Sequence, residues 1–151
     1  MADVREDILV RLLAILQTIP NIRVAQRNNP DLTEDQLPAA ILFDGDEETD
    51  DQSDQSMRPP HRPTMVSMSP AIVLAQQSNE AGSDLTTLRR ELLKRVLTDT
   101  ALNETIVKTG RNGNGAIRYL GCQTDFGEGR SLTGGLLARF TFRYVLKPDE
   151  L

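Results

Sequence analysis

The chain has 151 residues, a length typical of one domain, and its 22 acidic and 17 basic residues give a net charge of −5. The single cysteine, Cys122, excludes an intramolecular disulfide, and no apolar run approaches the ~20 residues of a membrane span. The first residues lack the basic and long apolar regions of a signal peptide, so we expect a soluble protein of a reducing compartment.

The first part of the chain predicts one helix and two strands. From Asp3 to Thr18, apolar residues recur every three or four positions, which is typical of an amphipathic helix with Asp3 as its cap. Alternating residue types over 22–27 predict a short strand with one solvated face. The apolar run from Leu37 to Phe43 predicts a strand that is apolar on both faces and therefore central in its sheet.

A third strand and a second helix follow. Thr64–Gln77 predicts the strand, in which Pro70 marks either a sheet edge or a bulge because proline cannot donate to the ladder. Leucines at helical spacing predict the helix, for which Ser83 or Asp84 is the expected cap. Residues 98–107 predict a short further turn or helix.

Two strands joined by a glycine-rich connection end the chain. Residues 116–126 predict the fourth strand and Leu136–Leu146 the last, and the pair is expected to form an antiparallel hairpin. The element order predicts an α+β domain over residues 1–151: a mostly antiparallel sheet of about five strands with two helices packed on one face. In the last strand one face carries Ala138, Phe140, Phe142 and Tyr144, and the other carries Arg139, Thr141 and Arg143.

An acidic segment separates the second and third predicted strands. Seven of the eleven residues from Asp44 to Asp54 are acidic, and three of the five residues over 59–63 are proline. Because proline opposes regular structure, we predict one long acidic and proline-rich loop at 44–63, of a length that is usually functional or disordered. It is a candidate metal site, a solvated loop or a surface for a basic partner. The candidate residues are Asp44, Asp46, Glu47, Glu48, Asp50, Asp51 and Asp54.

Positive charge is concentrated late in the chain. Residues 31–54 hold ten acids and no Lys or Arg, whereas residues 108–147 hold seven Lys or Arg and two acids. Opposite charges so far apart in sequence suit a head-to-tail contact between copies, and two solvated faces are the alternative. The candidates for a basic interface or a DNA-facing surface are Arg118, Arg130, Arg139 and Arg143.

No motif for metal or cofactor binding is intact. A Ca²⁺ loop that starts at Asp44 needs glycine at its sixth position and glutamate at its twelfth, where the chain has Thr49 and Gln55. The glycines of 110–115 are not followed by the Lys and Ser or Thr of a phosphate loop, and 127–132 lacks the third glycine of a dinucleotide fingerprint. Both are predicted to be hairpin turns, and neither a metal nor a cofactor is predicted.

Catalytic groups are equally sparse. His61 lies among prolines, no G-x-S-x-G elbow is present, and mid-strand Cys122 is expected to be a buried structural thiol. A His61–Cys122 dyad or a pair of carboxylates stays open in principle, but nothing singles out one pair among the 22 acids. The isoelectric point near 4.9 disfavours a dedicated nucleic-acid binder.

Four segments carry a resemblance to a known family. They are the opening helix DVREDILVRLLAIL, the strand LPAAILF running into DGDEE, the strand MSPAIVLAQQ leading into DLTTLRRELLKRVL, and the closing strand ARFTFRYVL. In these patterns, over nearly the whole chain, the sequence resembles the tail terminator proteins of long, non-contractile bacteriophage tails. The same plan occurs in related tail-completion and neck proteins. The segment Asp44–Pro63 is a departure, since no family motif corresponds to it.

The resemblance implies a structural virion protein that is not an enzyme and needs no cofactor. It implies a homo-oligomeric ring, usually hexameric, which caps the tail tube, stops its polymerisation and offers the docking surface for the head connector. Genome DNA would pass through the lumen without sequence-specific binding. The implied location is the tail–neck region of the virion, reached from the host cytoplasm during assembly, with no membrane involved.

This resemblance suggests a role for the acidic segment. In a closed ring, one patch of a subunit meets a different patch of the next, so an acidic loop could meet an arginine-bearing face, the tube or the connector, or could line the lumen. We hypothesise that Asp44–Asp54 is such an assembly or lumen loop, ordered by its partners. The alternatives are another neck or head–tail joining protein, an acidic binding module, and a small carboxylate-based enzyme.

Overall fold

The computed structural model describes residues 3–49, 64–77, 80–107, 116–126 and 133–148, which form three α-helices, five β-strands and a short 3-10 helix at Glu34–Gln36. The predicted α+β class is confirmed, and the segment at 98–107 contributes the third α-helix. The elements are α1 (Val4–Thr18), β1 (Val24–Arg27), β2 (Ala39–Thr49), β3 (Thr64–Gln77), α2 (Ala81–Leu97), α3 (Thr100–Val107), β4 (Ile117–Phe126) and β5 (Thr133–Leu146).

Helix α1 forms for the reasons that its sequence predicts. The Asp3 side chain accepts a hydrogen bond from the backbone N–H of Arg5 at 3.0 Å and so caps the first turn. The apolar stripe is removed from water against the sheet and the other helices, which is the main source of the helix's stability. Its buried members are Ile8, Leu9, Leu12, Ile15 and Leu16.

The five strands form one sheet in the order β1-β2-β3-β5-β4. Strands β1 and β2 are parallel, and the other three pairings are antiparallel, including the predicted hairpin of β4 and β5. Strand β2 has a neighbour on each side, as its apolar run predicts. Strand β5 begins at Thr133, so Gly134 and Gly135, which were predicted to belong to the glycine-rich connection, pair with both neighbouring strands.

All three helices contribute to one core on a single face of the sheet. Leu85, Leu88 and Leu92 of α2 and Leu102 of α3 pack there with the stripe of α1. The predicted inward face of β5 is confirmed, since Ala138, Phe140, Phe142 and Tyr144 are all buried. The other face of the sheet, which we call the open face, carries Arg139, Thr141 and Arg143 of the same strand.

The prediction of a loop beginning at Asp44 is wrong for its first six residues. Asp44–Thr49 continue β2, because the first part of β3 pairs with them: Asp46 lies opposite Ser69 and Glu48 opposite Ser67. A ladder partner distant in sequence therefore overrides the weak strand propensity of the acids. Residues 50–63 lie outside the described residues.

A bulge in β2 explains Pro70. Phe43 pairs with Ala71 and Asp46 with Ser69, so Asp44 and Gly45 together oppose Pro70 alone. The bulge alternative is confirmed and the edge alternative is wrong, since β3 lies between β2 and β5. Gly45 has a φ of +72°, and a Cβ at this position would lie 2.0 Å from the Ser69 carbonyl oxygen, so the site requires glycine.

Three local predictions are also wrong. Helix α2 begins at Ala81, so Ser83 and Asp84 lie in its first turn, with Asp84 N–H bonded to the Glu80 carbonyl oxygen at 2.9 Å. Strand β1 has no fully solvated face, because all four of its residues are half-buried. Cys122 is exposed, since β4 is an edge strand and its register shifts between Tyr119 and Gly121.

Candidate assembly surface

Strand β2 divides the acidic segment between the two faces of the sheet. Residues directly opposite each other in a sheet have side chains on the same face, and neighbours along a strand alternate. Glu47 pairs with buried Met68 and so lies on the helical face, where it accepts a hydrogen bond from the Tyr144 hydroxyl. Asp46 and Glu48 pair with Ser69 and Ser67 on the open face, and both are exposed.

Asp44 belongs to a salt-bridge network rather than to a loop. Arg27, at the end of β1, donates to Asp44 at 2.8 and 3.0 Å and to Glu6 of α1 at 2.7 and 2.9 Å. These bonds lower the pKa of both carboxyl groups and raise the pKa of the guanidinium. The network connects α1, β1 and β2 at the point where β2 bulges, so the role of Asp44 is structural.

Glu47 also has a partner within the domain, the Tyr144 hydroxyl. Burial, and secondarily the bond to Glu47, raises the pKa of the Tyr144 hydroxyl above its usual value. The nearby Arg5 donates from Nη2 to the Gly45 carbonyl oxygen at 3.2 Å, which ties α1 to the bulge. Two of the predicted acidic residues, Asp44 and Glu47, thus have partners within the domain, whereas Asp46 and Glu48 point outward.

The open face carries opposite charges on its two halves. Asp46 of β2 lies opposite Ser69 of β3, and Arg118 of β4 lies opposite Thr141 of β5. The Ser69 and Thr141 hydroxyl oxygens are 3.3 Å apart, which joins the four residues into one row across the sheet. Asp46 and Arg118, at the two ends of this row, are exposed.

A second row also has an acid on β2, but its arginine lies on β5 rather than on β4. Glu48 of β2 lies opposite Ser67 of β3, which in turn lies opposite Arg143 of β5. Arg139 lies on the same face, where its guanidinium is 3.5 Å from the Gln123 side-chain oxygen. The open face is therefore negative at Asp46 and Glu48 of β2, neutral along β3, and positive at Arg139 and Arg143 of β5 and at Arg118 of β4, while Asp125 of β4 lies opposite Gly135 toward the other end of the strand. The structure brings the predicted Arg118, Arg139 and Arg143 together on one surface.

Beyond the charged rows, the open face becomes apolar. Val73 pairs with Ile41 on one side and Leu137 on the other, whereas the row between this one and the charged rows has Phe43 and Ala71 beside Arg139. Near the glycines of β5 the surface is concave, because glycine has no side chain to fill the space. This concavity has a volume of about 640 Å³ and is lined by Val73, Gln123, Thr124, Asp125, Gly135, Leu136 and Leu137.

Between α1 and the end of α2 lies a smaller concavity, of about 350 Å³, whose charges are paired inside the domain. Arg11 donates to both carboxylate oxygens of Asp99, at 2.9 and 2.7 Å, which lowers the pKa of that carboxyl group. Asp99 also accepts from the Leu102 backbone N–H at 2.9 Å, as a cap of α3. This cleft joins three helices and offers no displayed charge comparable with the open face.

The remaining predicted residues lie elsewhere. Asp50, Asp51 and Asp54, together with Arg130 and His61, fall outside the described residues. Arg27 and Tyr144, which bind the inward acids Asp44 and Glu47, were not identified from the sequence. The signal for them is the alternation of residue types along β1 and β5, which places both side chains on the helical face.

Within the described ranges, no cluster of three or more His, Cys, Asp or Glu side chains is placed to hold a metal ion. No helix among the same residues is long and apolar enough to cross a membrane. In comparisons with known proteins, no family model matches the chain and no curated protein matches it.

Proposed function

We propose that this protein is a structural assembly component of a long-tailed bacteriophage, a tail terminator. In this role it forms a ring, hexameric by the family resemblance, that caps the tail tube, stops its polymerisation and presents the docking surface for the head connector. The class comes from the four sequence segments that resemble the family. The support from the fold is a single observation, the division of charge on the open face.

A surface of this kind suits a protein partner better than a small substrate. It spans four strands, and four of its charges, at Asp46, Glu48, Arg118 and Arg139, lie on exposed side chains at the sheet surface rather than inside a pocket. An apolar area beside a charged one is the usual make-up of a protein interface, where charge complementarity selects the partner and sets the association rate. Capping a tube requires such a broad and selective contact.

The positions of Asp46 and Arg118 help to distinguish a contact between ring neighbours from a contact with the tube or the connector. A head-to-tail ring joins two different patches, which usually lie on opposite sides of the subunit. Here Asp46 and Arg118 share one face, so the expected acid-to-base contact between ring neighbours is not the simplest use of them. We propose that the open face docks along the tail axis, on the tube or the connector, with genome DNA passing the ring without sequence-specific contacts.

Tube capping by charge-altered variants tests this proposal. The double variant Asp46→Lys with Glu48→Lys is mixed with growing tail tubes, and tube length and head joining are scored by negative-stain electron microscopy. Glu47 is left intact, because it binds Tyr144 and its loss would affect folding. We expect uncontrolled tube length and few joined particles.

The matched control is Glu104→Lys, which alters an exposed charge of α3 on the helical side of the domain. We expect this variant to cap tubes as the unaltered protein does. Light scattering at low and moderate salt, with imaging of the free protein, reports whether rings form before the tube is present. The proposal fails if the unaltered protein neither limits tube length nor forms a ring on tube ends.

A further inference from the structure

Two charges of the open face, Asp46 and Arg118, are placed symmetrically about its middle, whereas Arg139 and Arg143 lie on β5 opposite Ala71 and Ser67 of β3. In the row of Asp46, Ser69, Thr141 and Arg118, the two hydroxyl residues are central and the two charged residues are at the ends. Three spacings between strands, of about 4.8 Å each, separate the ends by about 14 Å. The two charges are therefore held apart across neutral side chains and are displayed outward.

This arrangement is complementary to itself. A two-fold axis that runs along the strands, between β3 and β5, exchanges the β2 side with the β4 side and leaves each row at its own level. In a face-to-face pair about that axis, Asp46 of each copy faces Arg118 of the other, and Ser69 faces Thr141. An axis across the strands would instead place acid on acid.

We infer that the open face binds the same face of a second copy of this chain, in a pair related by the axis along the strands. An isologous contact of this kind uses one patch twice, so each charge pair occurs twice in the interface. The neighbouring row does not add a second such pair, because Arg143 lies on β5 rather than β4 and about this axis faces Ser67 of the other copy.

The uncharged residues of the face fit the same pairing. Two sheets pack face to face about 10 Å apart, which needs small or apolar side chains between them. Along β3 the centre has Ser67, Ser69 and Ala71, small residues that in this pair face Arg143, Thr141 and Arg139 of the other copy, and Val73 and Leu137 lie beyond them, half-buried. A second sheet would remove the remaining apolar surface of these residues from water.

The pair covers the surface that we propose for docking on the tail. A second copy and the tail tube would then compete for it, so pairing would keep the free protein from capping tubes prematurely. This regulatory consequence rests on the proposed function, whereas the pair itself rests only on the geometry of the face.

A charge exchange between Asp46 and Arg118 tests the pair. Four samples are compared by light scattering after size exclusion: the unaltered protein, Asp46→Lys alone, Arg118→Glu alone, and a one-to-one mixture of the two single variants. We expect twice the chain mass, or an even multiple of it, for the unaltered protein and for the mixture. Each single variant should have half that mass, because like charges then face each other at both contacts.

Control variants show whether a loss of pairing comes from misfolding. The double variant Asp46→Lys with Arg118→Glu contains both substitutions and restores both charge pairs, so it should pair like the unaltered protein. Glu104→Lys and Arg90→Glu, which make the same charge changes on exposed helix positions, should leave pairing unchanged. Pairing should also weaken with salt, since the Debye length falls from about 10 Å at 0.1 M to about 3 Å at 1 M.

Three results would overturn the inference: a monomeric unaltered protein, single variants that pair normally, or a mixture and double variant that fail to restore pairing. Each of these leaves tube capping as a separate measurement, so a failed pair and a failed terminator are distinguishable. A protein that pairs as expected but never caps a tube would retain the pair and lose the proposed function.

Discussion

Replacing Asp44 by asparagine tests whether this acid stabilises the domain, unlike the exposed acids Asp46 and Glu48. The Asp44 carboxylate receives two hydrogen bonds from Arg27, at 2.8 and 3.0 Å, and both side chains are only about one quarter exposed, at 22% and 25%. Hydrogen bonds to charged groups contribute about 1.5–3 kcal/mol each when buried, and exposed ion pairs contribute about 0.2–1 kcal/mol. For this partly exposed pair, we expect Asp44→Asn to cost about 1–2 kcal/mol.

Urea unfolding followed by circular dichroism at pH 7 measures this cost. For a domain of this size, about 1–2 kcal/mol corresponds to a fall in Tm of about 2–8 °C. The matched variant Asp46→Asn, two residues along the same strand, should change stability by less than about 0.5 kcal/mol, because its side chain lies on the surface. Equal stability of the two variants would refute the assignment of Asp44 to a structural network.

The contribution of Asp44 to the free energy of unfolding should depend on pH, and the lowered pKa of its carboxyl group gives the direction. Arg27 lowers the pKa of Asp44 in the folded state, whereas an unfolded aspartate titrates near 3.9. The unfolded chain therefore binds the proton first, and the contribution of Asp44 is complete above about pH 5. This stabilising contribution decreases as the pH falls below about 4, and it is lost once the pH passes the lowered pKa that Asp44 has in the folded state. The difference between unaltered protein and Asp44→Asn should therefore be constant from pH 5 to 7 and shrink at pH 3.

Three further predictions concern single residues. Gly45→Ala should destabilise by at least about 3 kcal/mol in urea unfolding, since its φ of +72° costs about 1–2 kcal/mol for a residue with a Cβ and the Ser69 carbonyl oxygen would be 2.0 Å away. Phe140→Ala should cost about 3–5 kcal/mol, because the ring is fully buried and packs 5.6 Å from the Tyr119 ring centroid. Cys122 should react with a thiol reagent in the native protein at the rate of an exposed thiol, and protection until urea is added would contradict its exposed position.

Periodicity predicted the elements whose own residues determine their structure. Helix α1 and the alternation in β5 are visible in the sequence, because apolar residues recur at the spacing of the structure they form. The strand character of Asp44–Thr49 is not visible, because it depends on hydrogen bonds to β3, which is distant in the chain. Likewise, the exposure of Cys122 follows from the position of β4 at the sheet edge, and strand order is not encoded in local pattern.

The sequence identified most of the charged residues of the candidate surface, but not how they are arranged on the sheet. Alternation along the last strand placed Arg139 and Arg143 on one face, but the acids and Arg118 were identified by charge, which does not say which face of a strand a side chain occupies. Arg118, Arg139 and Arg143 lie on one face because β4 and β5 are paired in a particular register. The acidic and basic residues are far apart in sequence, and their separation in the chain did not indicate that Asp46 lies at the end of the same row as Arg118.

Gly45 determines which acids reach that face. Before the bulge, even-numbered residues of β2 such as Leu42 and Asp44 point to the helices; after it, the odd-numbered Glu47 does. Since side chains alternate with a period of two, one extra residue exchanges the faces of every position that follows. Without the bulge, Asp46 would point toward the helices and Glu47 toward the open face. The charge pattern of the proposed assembly surface is thus set by a glycine that bears no charge, through the backbone conformation that only glycine adopts there at little cost.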